Sequence, residues 1–153
     1  INFSGSMPVG IWQESTALQR GSSVAACMPL NFPAAQIAAE RGYIPPGQCP
    51  GGFAPLLKPI AALPGDTVIL CDEAVSINGA RIPKSRTQAT DSQGRPLPPF
   101  PRGKYFVLSG EYWLLATDNP NSFDSRYFGP VPESSIVSSL VPIATFEPKR
   151  LGE

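Results

Sequence analysis

Residues 56–70 read LLKPIAALPGDTVIL, two apolar runs joined by the tight-turn sequence Pro-Gly-Asp. Short apolar runs bounded by proline and glycine favour β-strands over helices. Lys58 lies inside the first run, whereas the other three lysines, Lys84, Lys104 and Lys149, lie in polar sequence. The stretch therefore predicts β structure. The presence of a lysine amine within an apolar segment also needs an explanation.

The same strand-and-turn pattern continues along the chain. Strands are predicted at 9–14, 21–28 and 135–146, and hairpins at 67–82 and at 105–117, the latter around residues 109–111. Within 67–82, Asn78-Gly79 indicates another tight turn. One short helix is predicted at 31–43, with Asn31 as its cap, Pro33 in its first turn and Gly42 as its stop. Residues 43–55 and 118–132 are predicted to be irregular, and residues 83–104 an extended surface loop. We expect a mainly β fold with one short helix, in a single domain over residues 1–153.

The charge balance and the absence of histidine exclude several function classes. Twelve Lys and Arg balance twelve Asp and Glu, so no net field attracts nucleic acid. The chain contains no histidine, which removes Ser-His-Asp and Cys-His catalysis and most zinc sites. We expect no cofactor and no metal. Since the chain opens on Ile1, we expect the natural protein to begin earlier, with a signal or anchor segment.

A serine can still act as a nucleophile if a neutral lysine takes its proton. Burial in apolar surroundings lowers the pKa of a lysine and makes the neutral amine available. Ser6, in NFSGSMPVGIW (2–12), and Lys58 are the candidates. The alternatives stay open at this point: serines are common in turns, and a lysine in a strand usually points to solvent.

Three segments in co-linear order carry a family resemblance. They are SGSMP (4–8), KPIAALPGDTV (58–68) and TDNPNSFDSRYFGPVP (117–132). Together they resemble the nucleophile, lysine and third blocks of the type I signal peptidase superfamily, whose members are membrane-associated Ser/Lys-dyad proteases. The resemblance implies a fold of coiled antiparallel sheets.

Site residues follow from this resemblance position by position. Ser6 is implied as the nucleophile and Lys58 as the general base, with the Ser6 N–H and the Ser4 hydroxyl as the oxyanion hole. Ser122 is implied to orient the lysine amine, and Asp124 and Arg126 to form a supporting salt bridge. Without the resemblance, Ser122 is a turn residue and Asp124–Arg126 a surface ion pair of little energetic value.

The segment SMPVGIW (6–12) resembles the TraF-type branch, the peptidases of conjugative plasmids. This implies a pilin precursor as substrate, loss of its short C-terminal peptide, and joining of its ends into a cyclic pilin. It also implies a membrane surface and conjugation or type IV secretion components as partners, on the periplasmic side of the bacterial inner membrane. We expect the substrate to pair as an extended strand near residues 4–8 and 53–58. The alternatives are an ordinary signal peptidase and an inactive β-rich scaffolding module.

Three cysteines allow one disulfide. Cys27 and Cys49 lie in loop sequence on either side of the predicted helix, and Cys71 ends the apolar run TVILC. In an oxidising compartment the simplest assignment is a Cys27–Cys49 bridge. Cys71 is then expected to be a buried free thiol.

Overall fold

The computed structural model describes the backbone of residues 10–15 and 18–145, and side chains between residues 18 and 139. These described residues form two α-helices, one short 3-10 helix (Glu133–Ser135) and eleven strands. The helices are α1 (Pro33–Arg41) and α2 (Ser125–Phe128); the strands are β1 (Gly10–Ser15), β2 (Ser23–Ala26), β3 (Pro46–Cys49), β4 (Leu56–Ala62), β5 (Thr67–Leu70), β6 (Val75–Ile77), β7 (Ala80–Arg81), β8 (Gly103–Phe106), β9 (Glu111–Leu114), β10 (Val131–Pro132) and β11 (Ile136–Thr145).

The strands form two antiparallel sheets. The larger sheet has the order β1-β11-β2-β4-β9-β10, and the smaller one has the order β7-β6-β5-β8. Strand β4 therefore lies inside the larger sheet, between β2 and β9. These sheets confirm the predicted mainly β fold class.

Helix α1 confirms the predicted helix but not its predicted cap. The N-cap is Phe32, and no side chain caps the helix there, so the prediction of Asn31 as the cap was wrong. Proline at the first helical positions explains this start, because its fixed φ suits a helix and its missing N–H needs no partner. Gly42 ends the helix as predicted, with a left-handed φ of 68°.

Strands β8 and β9 do not form the hairpin predicted at 105–117. Strand β8 pairs with β5 in the smaller sheet, whereas β9 pairs with β4 and β10 in the larger one. The backbone of Val107 explains the divergence, because its N–H donates to Asp66 O at 2.9 Å and its carbonyl accepts from Gly65 N at 2.8 Å. These two bonds to the Pro-Gly-Asp turn continue the pairing of β8 by one residue. Beyond Val107 the chain enters the larger sheet as β9.

Asn78-Gly79 forms the predicted tight turn, with positive φ at both residues, and joins β6 to β7. Two further predictions are corrected. The segment 118–132 is not wholly irregular, because it contains α2 and β10. Helix α2 begins at its N-cap Asp124, whose carboxylate accepts a hydrogen bond from Arg126 N. Strand β3 forms within residues 43–55, which were predicted to be loop.

Two hydrophobic cores lie on the two faces of the inner strands. The first packs the larger sheet against both helices, and the second packs β9 and β4 against the smaller sheet. Alternation along β9 sends Leu114 into the first core and Trp113 into the second. Ile60 and Ala62 of β4 also belong to different cores, because the register shifts between these two residues. Strand β4 is therefore held from both sides.

The disulfide joins Cys27, just after β2, to Cys49 at the end of β3, with a Cα–Cα distance of 5.6 Å. It is the pairing predicted from the sequence. The prediction that Cys71 is buried was wrong, since this free cysteine is exposed. Strand β5 ends at Leu70, so Cys71 falls in the turn beyond the sheet.

Candidate active site

Lys58 is a buried amine on an inner strand. It pairs with Val24 across β2 and β4, and it shares the core-facing side of β4 with Leu56 and Ile60. Only 6% of Lys58 is exposed. The alternative that this lysine points to solvent is therefore wrong. Its Nζ donates a hydrogen bond of 2.9 Å to Ser122 Oγ.

The environment of Lys58 favours its neutral form. Burial is the largest cause and lowers its pKa below the usual 10.5, and the nearby Arg126 charge lowers it further. The carboxylates of Asp124 and Asp118 act in the opposite direction but do not cancel the effect. A buried amine with a lowered pKa accepts a proton from a nucleophile at lower pH than an ordinary lysine does.

Ser122 lies at the start of the third block. Its N–H donates to Asn119 O at 3.0 Å, so it does close a turn, as the simpler interpretation held. Its side chain is nevertheless buried and contacts the Lys58 amine. The structure therefore brings together the two residues that the resemblance paired.

Asp124 and Arg126 form a buried, two-pronged ion pair behind this contact. Arg126 Nε donates to Asp124 Oδ1 at 2.9 Å, and Nη2 donates to Oδ2 at 2.8 Å. Asp124 also accepts from Ala116 N, and Arg126 also donates to Arg86 O. Both side chains are almost fully buried, so the surface ion-pair interpretation was wrong. The pair fixes the segment that carries Ser122 against β9.

A cleft of about 380 Å³ opens beside the Lys58–Ser122 contact. One group of lining residues is apolar and comes mainly from residues 45–57, which lead into β4 and include its first two residues. It comprises Pro45, Pro46, Ala54, Pro55, Leu56, Leu57, Leu97 and Phe123. Neutral polar side chains, including Asn119 and Asn121, line much of the remainder. A mostly apolar cleft with a few polar groups suits a ligand that is itself largely apolar.

Part of this cleft was not expected from the sequence. Although 83–104 was predicted to be a surface loop, it contributes to the lining, as does Tyr43. The lining residues from this loop include Gln88, Thr90, Asp91 and Ser92. The segment is a loop for most of its length, but it is tied to α1 by hydrogen bonds of Tyr43 and Arg41 to Asp91. No local sequence pattern signals this, because the partners are about fifty positions apart.

The predicted nucleophile Ser6 and the predicted oxyanion donor Ser4 lie outside the described residues, as does the 4–8 strand edge expected to pair with substrate. Within residues 18–139, no group of three or more His, Cys, Asp or Glu side chains is arranged to bind a metal ion. Neither helix in the described part of the chain has the length and hydropathy needed to cross a membrane.

Comparison with known proteins agrees with this geometry. Residues 9–144 match the family described as signal peptidase, peptidase S26. The chain is 36% identical over 147 residues to the plasmid transfer protein TraF of Escherichia coli, covering 95% of this chain and 82% of that protein. It is 39% identical over 153 residues to the conjugal transfer protein TraF of Agrobacterium fabrum, covering 97% and 83%.

More distant matches are to signal peptidases. Signal peptidase I V of Bacillus subtilis is 30% identical over 92 residues, covering 56% of this chain and 55% of that protein. A solved signal peptidase I from Enterococcus faecalis V583 superposes with a TM-score of 0.43 at 23% identity, covering 80% of this chain and 96% of that one. On the match of residues 9–144, this chain belongs to the signal peptidase family, peptidase S26.

Proposed function

We propose that this chain is a Ser/Lys-dyad endopeptidase in which Ser6 is the nucleophile and Lys58 the general base. One observation carries the proposal. The Lys58 amine is buried, has a lowered pKa and is held by Ser122 at 2.9 Å beside a peptide-sized cleft. A structural lysine gains nothing from such burial, because desolvation of an ammonium is costly.

In the proposed reaction, Ser6 Oγ attacks the scissile carbonyl while Lys58 Nζ takes its proton. The Ser6 N–H and the Ser4 hydroxyl stabilise the oxyanion, a contribution typically worth about 3–4 kcal/mol per donor. The C–N bond then breaks, Lys58 returns the proton to the leaving amine, and an ester links the substrate to Ser6. Water releases an acid from this ester, or an amine of the substrate releases it as a new peptide bond.

We propose a conjugative pilin precursor as the substrate, with a cyclic pilin as the product. The support is the similarity to proteins named for plasmid and conjugal transfer, which covers nearly the whole chain. Cleavage would remove a short C-terminal peptide, and the substrate's own N-terminus would then attack the ester. Conjugation or type IV secretion components are the proposed partners of the reaction.

The proposed setting is a membrane surface on the periplasmic side of the inner membrane. Two observations support it. A disulfide suits an oxidising compartment, and Phe106 and Leu108 are 66% and 61% exposed where β8 leads into β9. Neighbouring apolar side chains exposed to this degree suit contact with lipid or another apolar partner. A vesicle sedimentation assay with both residues changed to Ser tests this, since binding equal to that of the unchanged protein would contradict it.

Mass spectrometry of the products tests the chemistry. The substrate is a pilin-like precursor with a small-residue Ala-x-Ala segment before its C-terminal peptide, and Ser6→Ala and Lys58→Ala are the inactive variants. Lys104→Ala, on exposed β8, is the matched control for Lys58→Ala.

Three outcomes separate the candidates. A product lighter by one water than the linear cleaved form, absent with both inactive variants, supports the transpeptidase-cyclase. A linear product with the same dependence supports an ordinary signal peptidase that acts by hydrolysis. Absence of any product that depends on Ser6 favours the scaffolding alternative.

A further inference from the structure

A second charged group borders the cleft and has no part in the proposed reaction. Asp91 and Tyr43 line the cleft, and the Tyr43 hydroxyl donates to Asp91 Oδ2 at 2.7 Å. Arg95 Nε donates to the same oxygen at 2.7 Å, and Arg41 Nη1 donates to it at 3.4 Å. The Asp91 side chain is 5% exposed, whereas those of Arg41 and Arg95 are 20% and 38% exposed.

This group carries an excess positive charge. Burial opposes ionisation of Asp91, but hydrogen bonds from Tyr43, Arg95 and Gln93 outweigh it and hold the pKa of its carboxyl well below the usual range. Both guanidinium groups remain charged at any working pH. Two positive charges and one negative charge therefore leave one positive charge beside this part of the cleft, where Asp91 lines the cleft and both arginines contact Asp91.

The hydrogen-bonding capacity left over belongs to the arginines. Asp91 is saturated, because Oδ2 accepts from three side chains and Oδ1 accepts from the N–H groups of Gln93 and Arg95. Among the described contacts, Arg41 uses only Nη1, and the Arg95 side chain uses only Nε. The outer N–H groups of both guanidiniums are thus available to an acceptor, whereas the carboxylate has little capacity to bind an amine.

The rest of the cleft does not compete for an anion. Apart from Asp91, its described lining contains no carboxylate, and Lys58 is its other charged residue. The charges that act most on Lys58 are those of Asp124, Arg126 and Asp118. The Asp91 group therefore offers a second charged contact point for a ligand of the cleft.

We propose that Arg41 and Arg95 bind a carboxylate of the substrate and so contribute to its selection. This rests on the proposed function, in which a short C-terminal peptide is removed. The free terminal carboxylate then lies a few residues beyond the scissile bond, and an extended chain advances about 3.3 Å per residue. An acidic side chain of the leaving peptide offers the same chemistry, and guanidinium forks match carboxylates in geometry.

Binding to the Ser6→Ala variant tests the subsite without requiring catalysis. The probes are fluorescent precursor peptides with an Ala-x-Ala segment, made with a free C-terminal acid or a C-terminal amide. Each form is also made with Glu or Gln in the leaving peptide. Because hydrogen bonds to charged groups are strong, we expect about tenfold to hundredfold tighter binding when the recognised carboxylate is present. The acid/amide and Glu/Gln comparisons identify which carboxylate is bound.

Variants separate recognition from folding. Arg41→Gln and Arg95→Gln should remove most of the preference while leaving the affinity for the neutral peptide within about twofold, and Arg81→Gln, on exposed β7, should change neither. Asp91→Asn raises the local charge by one, so the preference should persist or grow. A merely structural role for the group predicts instead equal losses for charged and neutral peptides in all three cleft variants.

Equal affinities of the unsubstituted cleft for every peptide pair would overturn the subsite, as would a preference that survives both arginine changes. The result is distinguishable from failure of the proposed function. A carboxylate preference without any product that depends on Ser6 in the active enzyme would retain the subsite and reject the reaction. Cleavage that depends on Ser6 but shows no carboxylate preference would retain the reaction and reject the subsite.

Discussion

The Lys58 amine and the Ser122 hydroxyl are 2.9 Å apart although 64 positions separate them in the sequence. Strand β4, inside the larger sheet, fixes the first. The Asp124–Arg126 pair fixes the segment that carries the second. The contact thus depends on two elements, each held by buried interactions. Substitutions in β4 and substitutions in the segment that carries Ser122 should therefore have distinguishable effects on activity and stability.

Replacing Lys58 by Met should abolish most activity while preserving the fold. Loss of a general base typically costs about 10²–10⁴-fold in rate. In the unsubstituted enzyme, kcat/KM should rise with pH as Lys58 loses its proton, with a midpoint below 10.5, because burial lowers this pKa. Measurement of kcat/KM against pH, with Lys104→Met as the control, checks both points. A midpoint at or above 10.5 would contradict the assigned base.

Stability of the same variant should depend on pH with a definite sign. Between the lowered folded pKa of Lys58 and 10.5, the unfolded chain binds more protons than the folded one, so stability rises with pH. The cost of the buried ammonium is fully present below that window and disappears above it. Lys58→Met should therefore be more stable than the unsubstituted protein at low pH, with the difference vanishing towards 10.5. Denaturant unfolding at several pH values measures this, and a constant difference would count against it.

Ser122→Ala should lower kcat with little change in KM. The hydroxyl holds the Lys58 amine rather than the substrate, and one hydrogen bond of this kind corresponds to about tenfold to hundredfold in rate. Steady-state kinetics beside the exposed Ser109→Ala control give the comparison. A change confined to KM would mean that Ser122 serves binding rather than positioning.

Asp124→Asn should destabilise the protein by about 3–5 kcal/mol, because it leaves the buried Arg126 charge without its partner. The exposed pair Arg102–Asp72 provides the matched control, and Asp72→Asn should cost no more than about 1 kcal/mol. Urea unfolding of both variants gives the two values. Similar losses would show that burial does not govern the strength of these ion pairs.

Removing the Cys27–Cys49 bridge by a double Ser substitution should cost about 3 kcal/mol, given the sequence separation of 22. Cys71→Ser, at the exposed free cysteine, should have little effect on stability. Since the bridged segment supplies Pro45 and Pro46 to the cleft, the double variant should also form more linear product relative to cyclic product. An unchanged product ratio would show that this segment does not shield the ester from water.

Gly129→Ala should be more destabilising than Gly94→Ala, although both glycines have a similar positive φ, 79° and 78°. A Cβ at Gly129 would lie 2.5 Å from the Phe100 ring, whereas one at Gly94 meets nothing within 4 Å. Gly129 also has a ψ of −164°, a backbone region essentially restricted to glycine, so backbone strain and the clash add there, at about 1–3 kcal/mol each. Thermal unfolding compares the two variants, and equal losses would contradict this expectation.

The sequence pattern located most strands because alternation and turn residues are local signals. It did not identify the partners of β8 and β9, since the direction of the chain there depends on hydrogen bonds between Val107 and a turn about forty residues earlier. Likewise, Cys71 was expected to be buried because the run TVILC is apolar. Its exposure depends on where β5 ends in the folded sheet.

The candidate site was predicted mainly from the family resemblance. Physical reasoning singled out Lys58 for its apolar neighbours but, without the resemblance, favoured a solvent-facing lysine. Burial of Asp124 and Arg126 and the contact of Ser122 are long-range properties, which composition and spacing do not encode. Asp91 was missed for the same reason, because Arg41 and Tyr43 reach it from a distant part of the chain.

The most direct test of the central claim is to trap the acyl-enzyme and locate it. A precursor peptide is mixed with enzyme, quenched in acid and analysed by intact mass and peptide mapping. The account predicts an ester on Ser6 that is absent in Ser6→Ala and strongly reduced in Lys58→Met, while the Lys104→Met control forms it normally. An adduct on another residue, or one that forms as readily without the Lys58 amine, would contradict the Ser6–Lys58 dyad.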